Sequence, residues 1–438
     1  MKTTRTSIRY FALNRRNYGT VLGSIRMSSR VENKNKRYVK SILEDVAKRG
    51  DRALLEYEAK FDGVKMKVKD LKVRRREIDD AYACVSQEQI DAIKFSRRRV
   101  EKVERRLLVN LQGSGIKEKG VKIDLRVAPL ASVGCYIPGG KAIYPSSVIM
   151  TTTPAKVAGV ERIVICSPPS KKGSIDPLIL VAGDICGVNE FYKIGGAQAI
   201  GALAYGTKSI RPVEKIVGPG SKFVADAKML VLDKVAIDLP AGPTELLILA
   251  DESADPEIIV SDMISQAEHG EDSISGLITD SRTLARKVQE LIPRRLKGIE
   301  REEIVMESIR SKGFIVYSSH MDNGINLVNE FAPEHLEIIT REPRALAERI
   351  NNSGIILLGP NTPAAVSDYS LGTNHVLPTG GYAKIYSNLS SLNFVKMFYM
   401  AECSLDGLKR ISRPIATIAN GEGLVNHYLS IEKRLMRE

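Results

Sequence analysis

From about residue 120 onward the chain alternates between two textures. Short β-branched runs (VKIDLRV, ERIVICS, EKIVGPG, KVAIDLP, ELLILAD, GFIVYSS and GIILLGP) are separated by helical stretches and Gly/Pro turns. A brief apolar run bounded by turn residues suits a strand buried on both faces, and strands that recur with helices between them are joined by crossovers. The pattern predicts an α/β fold with largely parallel sheets. Residues from about 34 to 108 read differently, as helical, with Val39, Ile42, Leu43 and Val46 at helical spacing and charges between them. From about 391 the chain reads as helical again and ends in GEGLVNHYLSIEKRLMRE, a terminal segment of the kind that packs on a neighbouring subunit. No internal repeat stands out at a fixed period.

A length of 438 residues suggests two to four domains, and 43% hydrophobic residues exclude wholesale disorder. There is no uninterrupted apolar run of membrane-spanning length, and MKTTRTSIRYFALNRRNYGT lacks an apolar core with a cleavage site, so neither a membrane span nor secretion is expected. The five cysteines (Cys84, Cys135, Cys166, Cys186 and Cys403) are scattered and never form CxxC. That spacing argues against a disulfide framework or a zinc ribbon and predicts a cytoplasmic, reducing compartment. The formal charge of +13 raises the possibility of nucleic-acid binding. Yet acids are interspersed along most of the chain, the local basic runs are only RRRE at 74–77 and SRRRVEKVERR at 96–106, and no RNA-binding aromatics or zinc-finger spacing accompany them. Solvated helix faces account for the charge.

Three glycine-bearing turns lie in the alternating region: YIPGGKAIYPSS at 136–147, KIGGAQAIGALAYG at 193–206 and KIVGPGS at 215–221. A strand, a glycine turn and a helix start can leave backbone N–H groups free for an anion, as a dinucleotide pyrophosphate requires. None is a complete GxGxxG, so each is also compatible with a plain tight turn.

Four of the five histidines occupy polar segments marked by glycine or proline: His269 in SQAEHGEDS, His335 in FAPEHLEI, His375 in SDYSLGTNHVLPTGG and His427 in EGLVNHY. DPEIIVSDMISQAEHG carries a capping Asp255, Pro256 at the first helical position and Gly270 just past the end, which predicts one helix with Gln266 and His269 on a shared face. Two further ligands such as Asp368 and His427 would complete a mixed nitrogen and oxygen site, for which zinc is the default and manganese or cobalt are alternatives. In FAPEHLEI, the adjacent Glu334 and His335 offer two different proton acceptors at an element junction.

With these residues assembled, the sequence resembles the histidinol dehydrogenase family. The resemblance runs from about residue 35 to 430 and rests on ASVGCYIPGG, KIGGAQAIGALAYGT, IVGPGS, IDLPAGPTE, SDMISQAEHGEDS, APEHLEI, SDYSLGTNHVLPT and EGLVNH in that order. It implies a homodimer that uses NAD and one zinc per subunit to oxidise L-histidinol through L-histidinal to L-histidine, the last step of histidine biosynthesis. It further implies zinc ligation by Gln266, His269, Asp368 and His427, and NAD contacts from Tyr136, Gln198 and Ser221. Substrate contacts would come from Thr244, His335 and Glu422 together with the metal ligands, and acid/base work from Glu334 and His335. Two positions depart from the family pattern: Ser221 stands where asparagine is usual, and Thr244 where serine is usual.

The organisation expected from this resemblance is two incomplete Rossmann-like α/β domains with small terminal extensions. An arm over 1–30 precedes a first domain of 31–135 with 245–328 and about 376–390. A second domain takes 136–244 with 329–375, and 391–438 forms a helical dimerisation segment swapped between subunits. Three other readings remain: a relative oxidising another amino or sulfo alcohol, a cysteine-dependent aldehyde dehydrogenase working through Cys135 or Cys166, and a nucleic-acid binding protein.

Overall fold

The computed structural model describes residues 8–14, 16–26, 35–111, 115–139, 143–240 and 242–436. Its strands are β1 (Arg9–Leu13), β2 (Gly115–Glu118), β3 (Val121–Pro129), β4 (Ser132–Tyr136), β5 (Arg162–Ser167), β6 (Glu190–Lys193), β7 (Lys215–Val217), β8 (Ala236–Ile237), β9 (Glu245–Ala250), β10 (Ile274–Thr279), β11 (Phe314–Ser318), β12 (His335–Ile339), β13 (Ile355–Leu358) and β14 (Val395–Cys403). The first sheet has the order β1-β11-β10-β9-β12-β13 and is parallel throughout. The second, β6-β5-β4-β7-β8, is also parallel. A third, β14-β3-β2, is antiparallel.

The α/β expectation holds, and every β-branched run named above contributes a strand. Helices cover both parallel sheets, so their central strands lose the alternation of a half-exposed strand; all six residues of β9 are buried. The 34–108 region is helical as expected. Its helix Lys36–Arg49 buries Val39, Ile42, Leu43 and Val46 against the helix Gly196–Tyr205.

Sheet membership groups the chain differently from the expected domains. Segment 329–375 carries β12 and β13, and β12 pairs with β9 in the first sheet rather than joining residues 136–244. The helices of 36–109 pack around the second sheet, and Val376 and Leu389 join that core as well. The described part of the N-terminal arm includes β1, an edge strand beside β11 some 300 residues away. VKIDLRV forms the centre of the antiparallel sheet, and the C-terminal segment opens with its partner strand β14 before becoming helical. All these differences concern pairings across long sequence separations, which local periodicity does not encode.

Candidate active site

A cavity of about 850 Å³ lies between the amino ends of β9 and β12 in the first sheet and the carboxyl ends of β4 and β7 in the second. Thr244, Glu334, His335 and Asp368 line one wall, and Pro138, Pro219 and Ser221 the other.

The first wall begins with a forced turn. After the helix Met321–Phe331, Ala332 takes a left-handed conformation (φ 56°), uncommon for a residue with a side chain, and Pro333 follows. The turn delivers Glu334 and His335 to the mouth of β12. Glu334 is fixed from behind where its carbonyl accepts from Ile355 N at 3.0 Å. Gly354 is required there, because a Cβ would lie 2.5 Å from that carbonyl oxygen.

Glu334 Oε2 accepts from the Thr244 hydroxyl at 2.5 Å and from Glu245 N at 2.8 Å. Since the single hydroxyl proton of Thr244 goes to the carboxylate, Thr244 accepts from Gln266 Nε2 at 2.7 Å. The amide of Gln266 is thereby oriented, and its Oε1 is the atom left for a ligand. Thr244 retains the hydroxyl this relay needs.

His335 is 3% exposed. Its Nδ1 lies 3.2 Å from the carbonyl oxygen of Glu245, and a carbonyl only accepts, so Nδ1 carries a proton. In the neutral ring Nε2 then holds the lone pair; it has no hydrogen-bond partner and stands 3.6 Å from Asp368 Oδ1. Burial of the imidazole opposes its charged form, but the neighbouring carboxylates of Glu334 and Asp368 outweigh it and hold the ring well above its ordinary pKa. Asp368 feels the same pair from the other side: burial raises its pKa, and the neighbouring histidines bring it below the usual range.

Several buried groups to which sequence reasoning gave no role support this wall. Glu245, the first residue of β9, is completely buried; burial and then the charge of Glu334 push it up to about 8, while its Oε1 accepts from Gly380 N at 3.1 Å. Glu337, one strand repeat beyond His335, accepts from Ala364 N at 2.7 Å and so holds the start of the short helix that carries Asp368. His375, noted in sequence without a role, places Nδ1 3.0 Å from the Asp368 carbonyl oxygen, and burial lowers its pKa. An acid opening an otherwise apolar run, as in ELLILAD, was the available signal for Glu245.

The expected helix spans Pro256–Ala267, with the Asp255 side chain accepting from Glu257 N. Gln266 sits in its last turn, but the helix stops at Ala267, so His269 does not share a helical face with it as expected; it follows beyond the end, exposed and lining the cavity. Glu422 and His427 are not brought to this cavity within one chain. They lie, exposed, in the C-terminal helical segment. Among the described residues, no three His, Cys, Asp or Glu side chains form a metal-ligating group within the single chain. His269 and Asp368 line the cavity and Gln266 is hydrogen-bonded to Thr244 beside it, side chains of the oxygen and nitrogen type that could serve as zinc ligands.

The second wall is built on the glycine turns, of which Gly140 lies outside the described residues. Ser221 caps the helix Lys222–Leu230 by position without a side-chain bond and faces the cavity. Tyr136 and Gln198 stand behind the turns: Gln198 is 0% exposed, and the Tyr136 hydroxyl accepts from Gly196 N at 3.1 Å. The expected free donors are spent in the same way. Gly195 N goes to Glu58 Oε1 at 3.1 Å, and Gly218 N to Asp238 Oδ2 at 2.7 Å. Lys228, ion-paired with Asp238 and buried with it, donates to the Gly218 carbonyl at 3.0 Å. Gly218 adopts φ +115°, and a Cβ there would lie 2.2 Å from the Tyr136 carbonyl oxygen. Cys135 and Cys166 are buried outside the cavity, and burial raises both thiols, Cys135 to about 12, the reverse of what a nucleophile needs.

Comparison with known proteins is consistent along the whole chain. The family model for histidinol dehydrogenase matches residues 25–435. Histidinol dehydrogenase of Methanothermobacter thermautotrophicus is 44% identical over 91% of this chain and 92% of its own. That of Clostridium acetobutylicum is 44% identical over 90% and 91%. The crystal structure of histidinol dehydrogenase from Elizabethkingia anophelis superimposes with a TM-score of 0.92 at 32% identity, covering 98% of both chains.

Proposed function

The chain belongs to the histidinol dehydrogenase family, and on that premise we propose that it oxidises L-histidinol to L-histidine by two successive hydride transfers to NAD. The observation that carries the reading is the unpartnered His335 Nε2 at the wall of a cavity shared by both sheets. An alcohol carbon releases hydride readily only as its hydroxyl proton leaves, and His335 Nε2 is the base that takes that proton in its neutral form, which a divalent ion held by Asp368 would favour by offsetting the carboxylate charge that otherwise keeps the ring protonated. The resulting aldehyde must add water before a second hydride can depart. Glu334, anchored through Oε2, has Oε1 to take a proton from that water. Bound NAD supplies the hydride acceptor in each step.

Gln266 Oε1, His269 and Asp368 would hold zinc, with His427 of the partner subunit as fourth ligand. Bound zinc would supply a template for the substrate's imidazole and amine. Thr244, through its hydroxyl, keeps Gln266 and Glu334 in register for the same substrate. Tyr136, Gln198 and Ser221 shape the cofactor side. The donor set favours histidinol over another amino or sulfo alcohol, because an imidazole is what a zinc ion so placed would bind.

The exposed terminal segment supports the reading of a homodimer with shared sites. The helix Val425–Leu435 buries no residue on its own chain; its Val425 and Leu429 and the preceding Leu424 are exposed. It packs on the helix Leu405–Gly421, which is itself largely exposed, so the pair leaves an apolar face uncovered, and a second copy that receives Glu422 and His427 at its cavity would cover it. No helix of the described residues is long and apolar enough to cross a membrane, and all five cysteines are unpaired, in keeping with the reducing cytoplasm.

The deciding assay mixes purified protein, L-histidinol and NAD and follows NADH absorbance. A yield of two NADH per histidinol, lost on chelation and regained with zinc, is expected for a four-electron oxidation. One NADH per substrate, or full activity in protein shown by elemental analysis to be metal-free, refutes the corresponding half of the proposal.

A further inference from the structure

Behind the second wall lies a buried acid that neither motif nor mechanism has used. Glu58, on the helix Asp51–Phe61, is 0% exposed and reaches across the fold to the turn after β6. Its Oε1 accepts from Gly195 N at 3.1 Å and from Gln198 Nε2 at 2.9 Å. Oε2 is buried without a hydrogen-bond partner. Burial, with a smaller contribution from Asp62 one helical turn on, pushes the carboxyl up to about 8. Burying an acid is costly unless its bonds matter, and an apolar side chain would fill the same space more cheaply.

The contacts lead from Glu58 to the cavity. Gly196, next to the gripped Gly195, donates to the Tyr136 hydroxyl at 3.1 Å. The Tyr136 ring lies against Gly220, where a Cβ would stand 3.2 Å from its Cε1 atom. Gly220 and Ser221 form part of the second wall. We infer that Glu58 is a positioning residue for dinucleotide binding: by fixing the Gly195–Gln198 turn it sets Tyr136, and through Tyr136 the Gly220–Ser221 wall. This rests on the proposed NAD reading of that wall.

The same geometry selects the test. Glu58→Met keeps the bulk and removes the acceptor, whereas Glu58→Gln keeps an oxygen able to accept both bonds. NADH affinity is read by fluorescence titration of the intact protein, and the Michaelis constants for NAD and histidinol are measured separately. Glu58→Met is expected to weaken NADH binding and raise the NAD constant roughly tenfold or more, since it strands two buried donors, each worth about tenfold. The histidinol constant and kcat should stay within about twofold, because no contact on the first wall changes. Glu58→Gln should return the cofactor values to near wild type. NADH binding unchanged in Glu58→Met, or equally weakened in Glu58→Gln, overturns the inference, as does a parallel rise in both Michaelis constants. Wild-type protein that binds NADH but leaves histidinol unoxidised would instead sink the functional reading, and the titration would still decide the role of Glu58.

Discussion

At the amino ends of β9 and β12, side-chain atoms beside the cavity are left without partners, whereas at the carboxyl ends of β4 and β7 the backbone N–H groups of the glycine turns are taken up inside the protein. His335 Nε2 has no partner, and Gln266 is turned so that its oxygen is left over. Across the cavity, Gly195, Gly196 and Gly218 all give their N–H groups to side chains. Open polar atoms suit a wall that must bind a metal and move protons. Saturated ones suit a wall that offers a rigid shape to a cofactor. The difference teaches that glycine turns at strand ends need not be anion seats: here buried acids occupy the donors a pyrophosphate would use, and glycine serves close backbone approach.

The largest effect should come from the open wall. His335→Asn is expected to cut histidinol oxidation roughly 10³-fold, within the usual worth of a general base. Glu334→Gln should slow oxidation of supplied histidinal more than that of histidinol. Equal losses in both variants on both substrates would erase the division of labour.

A second prediction asks whether the open wall is completed from another chain. His335→Asn and His427→Ala proteins, each inactive alone, are mixed and allowed to exchange subunits. In a mixed dimer one site collects both lesions and the other neither, so the pool should recover roughly a quarter of wild-type activity by two-fold symmetry. Zero activity, with mixed dimers verified by mass spectrometry, would mean that each site is built within one chain.

The saturated wall makes a different demand. Asp238→Ala leaves Lys228 buried and unpaired, and should cost roughly 3–5 kcal/mol of unfolding free energy in a denaturant titration. Adding Lys228→Met removes the stranded charge and should recover part of that stability, while NAD binding stays weak because Gly218 has lost both its partners. Normal NAD binding in the folded double variant would show that the clamp serves stability alone.

The smallest effect is expected at Ser221. Its side chain makes no capping bond, so Ser221→Asn should shift the NAD Michaelis constant by no more than about threefold and leave histidinol unaffected. A loss of histidinol binding instead would move Ser221 to the other wall.

By itself the sequence determined the α/β class, the burial of Val39, Ile42, Leu43 and Val46, and the helix capped by Asp255, because each rests on spacing within a few residues. It also marked Glu334, His335, Gln266, His269 and Asp368 as candidates through short motifs, and the resemblance supplied their roles. The tertiary structure decided what spacing cannot carry: that β12 lies beside β9, that Thr244 links Gln266 to Glu334, and that the glycine turns are closed from behind by Glu58 and Asp238. These contacts join residues 20 to 140 positions apart in the chain. Side-chain periodicity reports which face of an element is buried but not which distant element covers it, and it is the covering element that decides whether a polar atom is spent or left free.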